Sequence, residues 1–319
     1  MAGAVRNPVP RLMTTVPRPV PAGSSAQIKQ RQDEPQHLQR LLAYSHLYRT
    51  AQRWHRIRAF GTFVLATVAP IVALLVPPSS DILAAIAAAW LVAGRTVLSW
   101  LEEHAILHAV RVQELYDTRL FKLPWNTALA GREPAPEDVA AAAAHIRDDT
   151  RYRDWYCIDL GDVPWPGDVL LCQRMSMIWS RRDHRAYGTT VLVTGIAWFL
   201  LGLSVALARD LSLAAYLIKI FLPSSPALLD CAELARSHWR QATRREQAEH
   251  EVRDLWGAHQ AAPAAIDPAA CRKIQDTAYL LRRDGPRVPG YFYQLRQRAT
   301  AAAISSGAAA LVTGPTQDG

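Results

Sequence analysis

Lysine is nearly absent from this chain: of 36 basic residues only Lys29, Lys122, Lys219 and Lys273 are lysines. The arginines sit beside hydrophobic runs, which argues for membrane orientation and against nucleic-acid binding, although the formal net charge is +8. Cysteine is scarce as well. Cys157, Cys172, Cys231 and Cys271 are widely scattered, and no pair has the spacing of a zinc site or a redox dithiol. A Gly-rich phosphate loop is missing from the whole chain, which removes P-loop nucleotide chemistry. The first 25 or so residues lack the apolar core of a signal peptide; residues 1–35 read as a disordered, Pro-rich leader.

Long apolar runs are what the chain does have. A mean hydropathy of −0.03 averages over them and over strongly polar stretches. Ala59–Val76 contains no charged residue, and Ile82–Trp100 contains Arg95 towards its end and no other charge. Each approaches the length needed to cross about 30 Å of hydrocarbon. Pro70 within the first run is tolerated where neighbouring helices satisfy the freed backbone groups. Tyr187–Ala208 is a third run, and Leu211–Leu229, carrying Lys219 and Pro223-Ser224-Ser225-Pro226, is the fourth and weakest.

The pattern predicts an all-α integral membrane protein with four transmembrane helices in two hairpins and helical cytoplasmic regions. Residues 36–58 read as an amphipathic helix, 59–100 as the first hairpin, and 101–186 as a cytoplasmic region. Residues 187–229 read as the second hairpin, 230–302 as a helical C-terminal region, and 303–319 as a tail. Within 101–186 a helix continues the second span to Phe121, and Glu137–Asp149 reads as another. The stretch Arg151–Trp179 reads as ordered structure against the membrane. Helix is expected again to about Trp256 and from Pro268 to Leu281.

Orientation follows from the arginines. Arg40, Arg49, Arg53, Arg56 and Arg58 precede the first span. Arg181, Arg182 and Arg185 precede the third, and Arg236, Arg240, Arg244 and Arg245 follow the fourth. The short turns at Pro77–Asp81 and Arg209–Asp210 carry only Arg209. The positive-inside rule then puts both termini and the central region in the cytoplasm, where the thiols would stay reduced.

Enzyme chemistry is poorly supported. Glu102, Glu103, His104 and His108 offer half of a metal-ligand set, but His-Ala follows where a zincin has His-Glu; no metal or cofactor is expected. Gln113, Glu114 and Asp117 have no nucleophile at recognisable spacing, and Arg111 and Arg119 suffice as ion-pair partners. Lys219 is the residue of interest. A charge inside a span costs about 2.5–3.5 kcal/mol on insertion scales and normally faces a bundle interior or a water-filled cavity. With the hydroxyls of Ser224 and Ser225 and the helix-breaking Pro223 and Pro226, it forms the candidate pore lining. The alternative is a short interfacial helix with Lys219 at the headgroups. Trp155, Trp165, Trp179 and Tyr187 read as interfacial anchors or as a base-stacking platform.

Several motifs resemble, in order, those of the S-4TM family of pore-forming effectors. They are Gln39–Tyr48; Val112–Asn126, with Gln113, Glu114, Asp117, Trp125 and Asn126; and Asp154-Trp-Tyr156. Leu171-Cys172-Gln173-Arg174 with Trp179 and Tyr187 follows, then Ile274-Gln275-Asp276, Arg282-Arg283 and Val288–Arg296. The similarity runs from about residue 36 to about 312, and the chain departs from the family pattern at Cys157, Ser176 and Ser180. The resemblance implies a bacterial inner-membrane effector accompanying nucleotidyltransferases that make cyclic-nucleotide messengers upon phage attack. On that reading several copies assemble in the lipid bilayer into a homo-oligomeric pore, gated by a nucleotide second messenger or a nucleotidyltransferase-linked partner. The alternative is a membrane-anchored sensor or scaffold whose cytoplasmic region carries the function.

Overall fold

The computed structural model describes residues 26–75, 80–156, 163–261, 266–293 and 295–296. The leader to residue 25, most of the first turn (76–79), Cys157 and the tail lie outside the described residues. Among the described residues there are helices and no strands.

After a short α1 (Ala26–Arg31) the chain forms four long rods. The first is α2, Pro35–Leu75. The second joins α3 (Ser80–Ala93) to α4 (Ser99–Phe121) through a π-turn at Gly94–Leu98. The third is α7, Gly167–Ala208. The fourth joins α8 (Leu213–Tyr216) to α9 (Leu222–Ala261) through a second π-turn at Leu217–Phe221. Short α5 (Thr127–Ala130) and α6 (Pro136–Ala143) lie between the second and third rods, and α10 (Pro268–Arg283) closes the fold. Three stretches are long and apolar enough to cross a membrane, within Ala85–Phe121, Gly167–Ala208 and Leu213–Ala261. The first apolar run forms the end of α2, and its last residue, Val76, lies outside the described residues. The molecule is an all-α membrane protein.

The rods are longer than spans need to be. At 1.5 Å per residue the 42 residues of α7 extend about 63 Å, twice the hydrocarbon thickness. Residues 36–58 and the run from Ala59 are one continuous helix, and α7 begins at Gly167, twenty residues before its apolar part. Each rod therefore has an apolar half and a polar half. Rods one and two pair as one hairpin, and rods three and four as the other.

Local chemistry places the ends. Lys122 takes a left-handed conformation (φ 57°) after α4, and the Leu123 N–H reaches back to the Thr118 carbonyl at 3.0 Å, a Schellman stop ahead of Pro124. Asp267 caps α10 by accepting from the Ala269 N–H at 2.8 Å, with Pro268 in the first turn. The helix expected over Glu137–Asp149 ends at Ala143. There the Asp148 carboxylate accepts from both the N–H and the hydroxyl of Thr150 (3.0 and 2.6 Å), a local turn that competes with the helix.

The core lies in the polar half. Leu41, Tyr44, Tyr116, Leu120, Phe121, Val169, Leu170 and Ile274 are all at most 3 % exposed and belong to one cluster. Phe60, Ile82, Leu207, Leu213 and Ile218 in the apolar half are two-thirds exposed or more, as lipid-facing side chains are. Close approach within the second hairpin depends on Gly188, Gly195 and Gly202, spaced by seven residues on α7. A Cβ at these positions would lie 3.0–3.1 Å from His238, Cys231 and Ile220 respectively.

Candidate functional site

The motif residues converge from α4, α7, α10, the cap of α5 and the segment at Tyr156 into a buried polar lock. Glu114 and Asp117, one turn apart on α4, are each 1 % exposed. An unpaired carboxylate there would be costly, and α10 supplies the partners. Arg272 donates to Glu114 at 2.6 Å and to Asp276 at 2.8 Å. The Gln275 amide donates to Glu114 at 2.8 Å and to Asp117 at 3.0 Å. Arg282 pairs with Asp117, which also accepts from the Tyr156 hydroxyl at 3.3 Å. From α7, the Gln173 amide donates to the Gln275 side-chain oxygen at 3.2 Å and to the Cys271 carbonyl at 2.9 Å. Asn126 caps α5 through its oxygen and donates to both oxygens of Asp276 at 3.1 and 3.2 Å.

Electrostatics in this region favour a closed, rigid arrangement. Burial pushes the Glu114 carboxyl up, partly countered by Arg272. Burial works against the Arg282 charge, but Asp117, with Tyr48 and Tyr156, outweighs it, and the pKa is raised. Next to it the balance fails. Arg245 is 4 % exposed and, among the described residues, bonds only to uncharged acceptors, the Gln241 side chain and the carbonyls of Gln241 and Leu281. Burial, followed by repulsion from Arg287 and Arg282, lowers it to about 9. Arg287 donates to the Arg282 carbonyl and lies 4.6 Å over the Tyr48 ring. Tyr48 in turn donates to Gln113 at 2.6 Å. Against α9, His184 and His238 meet through their Nδ1 atoms at 2.8 Å. Burial first, then nearby cations, holds both rings neutral, His238 at about 4.

Of the other motif residues, Arg174 joins a separate cluster, donating to Glu249 at 3.0 Å, with Arg181 bridging Glu249 and Glu246. Trp125 donates to the Gly131 carbonyl at 2.8 Å. Cys172 is a core thiol, 1 % exposed, and burial raises its pKa. Trp179 packs on Tyr293 with ring centroids 5.9 Å apart. Reading the sequence missed Arg272 and Arg287, and it read Tyr156 only as part of a motif and Arg245 only as an orienting charge. For Arg272 a signal existed: with Gln275, Asp276, Tyr279 and Arg282 it lies on one face of α10 at helical spacing. Ser176, where the family pattern differs, accepts from Arg282 at 3.4 Å.

The Pro-Ser-Ser-Pro segment does not break the fourth rod, contrary to expectation. The π-turn routes the Leu222 N–H to the Leu217 carbonyl, and α9 continues through Pro226. Pro226 leaves the Leu222 carbonyl without its helical donor, and the Ser225 hydroxyl supplies one at 2.8 Å. Ser224 is 4 % exposed and its hydroxyl lies 3.5 Å from the Ala66 carbonyl of α2. Ala66 is four residues before Pro70, so this carbonyl too has lost its helical partner. Ser224, Tyr216, Ile220, Pro70 and Phe199 line an apolar cavity of about 380 Å³. Lys219 sits half-buried in the π-turn, outside that lining, and Pro223 lies in the first turn of α9.

The Glu102 carboxylate is held by His55 (3.2 Å) and Arg58 (3.1 Å), while His104 stacks on Trp100. Among the described residues no group of three or more His, Cys, Asp or Glu side chains is placed to hold a metal.

Fold and site together define a membrane protein whose apolar spans are continuous with a polar body closed by buried ion pairs. The SMODS-associating 4TM effector domain matches residues 26–311, nearly the whole chain, and the protein belongs to that family. It is similar to a Probable CBASS effector molecule of Bacillus cereus (strain VD146), 24% identical over 200 residues, which cover 62% of this chain and 67% of the relative. No solved structure matches it.

Proposed function

We propose that this protein is an antiphage effector of the bacterial inner membrane. Several copies form a gated pore that dissipates ion gradients, and both termini lie in the cytoplasm. The family match and the likeness to a probable CBASS effector support the effector role and, with it, a link to a nucleotidyltransferase and its cyclic-nucleotide messenger. The observation that carries the gating part is the continuity of the rods. The helices that hold the polar lock run on into the spans, so repacking around Glu114, Asp117 and α10 moves the spans as levers. Moving such an equilibrium from mostly closed to mostly open takes about 5.5 kcal/mol of differential binding. The span windows are only 6%, 11% and 17% buried within one chain, which leaves their surfaces for lipid and for other copies. A catalytic role is not part of this reading, because the motif carboxylates are occupied by arginine and glutamine partners.

The test is membrane potential in bacteria, followed with a voltage-sensitive dye as the protein is induced with and without a cyclic-nucleotide synthase. Synthase-dependent depolarisation is expected, and Lys219→Leu should change the conductance or toxicity. An intact potential with confirmed insertion, across every synthase tried, would move the assignment to a membrane-anchored sensor or scaffold.

A further inference from the structure

A cavity of about 790 Å³ opens where the apolar and polar halves of rods one, three and four meet, with Arg95 of the second rod also in its lining. Its lining is of two kinds. Phe63, Val191 and Ala227 come from inside the apolar runs, while Arg58, Arg236 and Arg240 come from the polar stretches just beyond them. Most lining charges are already matched. Arg95 is held by Asp230 at 2.6 Å and Glu233 at 3.4 Å. Arg58 is held by Glu102 at 3.1 Å, on a carboxylate that His55 also reaches. Arg236 and Arg240, one turn apart on α9, are exposed and have no ion-pair partner among the described residues.

We propose that this cavity binds an anionic phospholipid, with its phosphate on Arg236 and Arg240 and an acyl chain along Phe63, Val191 and Ala227. The shared recognition chemistry is that of any phosphate ester, but the wall decides the source. A soluble ester would occupy the arginines and leave the apolar side chains wet, whereas a lipid covers both. The depth agrees, since basic pockets between spans on the cytoplasmic side are where anionic headgroups lodge. Tyr291 also lines the cavity. It follows directly on Gly290, whose N–H donates to Gln52 at 3.2 Å, and comes three residues after Val288, whose carbonyl accepts from Gln52 at 3.3 Å. A bound lipid therefore touches the segment that carries Arg287 into the polar lock. This inference rests on the spans and not on pore formation.

The experiment is lipid retention by the full-length protein, read by native mass spectrometry after reconstitution in nanodiscs of phosphatidylglycerol or of phosphatidylcholine. Phosphatidylglycerol is expected to be retained in preference to phosphatidylcholine. Arg236→Gln with Arg240→Gln should weaken retention about 30-fold, given about 1 kcal/mol per arginine near the membrane surface. Arg244→Gln, one turn further along α9 and outside the lining, should leave it unchanged. Val191→Trp, which fills the apolar part without touching a charge, should also reduce it. Both arginines are exposed, so thermal melting of the double variant should match the parent. Equal retention of the two lipids, or retention unmoved by the arginine pair, overturns the proposal. So does displacement by glycerol phosphate together with indifference to Val191→Trp, which would mark a soluble phosphate site.

Discussion

The polar and apolar halves of the same rods are held together in opposite ways. In the polar half, residues more than a hundred positions apart meet through charge-assisted bonds, with Arg272 on Glu114 and Arg282 on Asp117. In the apolar half the rods touch through glycines, and the contact between Ser224 and the Ala66 carbonyl joins the two hairpins at 3.5 Å. Buried ion pairs specify one arrangement, because every alternative strands a charge. Apolar helices in lipid lack that penalty and pack by shape with a few weak hydrogen bonds. The polar half is therefore fixed by directional, charged contacts, and the apolar half by fewer and weaker ones. Arg245 is buried beside this lock with no carboxylate partner among the described residues, and burial with repulsion from Arg287 and Arg282 lowers its pKa.

The sharpest way to break this contrast is Asp117→Ala. It leaves Arg282 buried without a counter-charge and removes an acceptor from Gln275 and Tyr156. A loss of about 3–5 kcal/mol is expected, seen as a large drop in melting temperature in detergent. A parent-like melt would mean that the lock holds nothing.

Acidification tests the same half through His184 and His238. Both rings are depressed in the folded protein, so below about 6.5 the unfolded chain takes up protons first. Their stabilisation is complete above that pH. For His238 it disappears progressively as pH falls towards about 4. Going from pH 7 to 5 should cost about 2 kcal/mol per ring. Asp168 and Asp183, pushed up to about 6 by burial, act in the opposite direction. The measurement is therefore the difference in acid sensitivity between the parent and a His184→Phe, His238→Leu variant. Equal slopes would exclude the pair.

In the apolar half the effects should be small. Ser224→Ala should cost about 0.6 kcal/mol, typical of a hydrogen bond between membrane helices. Pro70→Ala returns the Ala66 carbonyl to its own helix, so Ser224→Ala in that background should cost almost nothing. Additive losses would show that the hydroxyl does not serve the carbonyl. Smallest of all is Arg119→Ala. Its pair with Glu133 is exposed on both sides, so a change within about 0.5 kcal/mol is expected in chemical denaturation.

Much of the plan was legible along the chain. The apolar runs, the turn at Arg209–Asp210 and the start of α10 at Pro268 depend on neighbours within a few residues. The acidic face of Glu114 and Asp117 could be read from helical spacing on α4. Its partners could not, because Arg272 and Arg282 reach it from about 160 residues away. The Pro-Ser-Ser-Pro segment shows the limit most clearly. Proline is a strong local breaker, yet a π-turn, the Ser225 hydroxyl and the facing α2 keep the rod continuous.

By itself the sequence determined the helical class, the division of each rod into apolar and polar lengths, and the residues that would need partners if buried. Those properties follow from composition and from the 3.6-residue period, which act locally. Only the tertiary structure decided which charges meet, which stay unpaired, and where cavities open between the rods. Those outcomes depend on how distant helices are rotated and set against one another, and packing fixes that rotation.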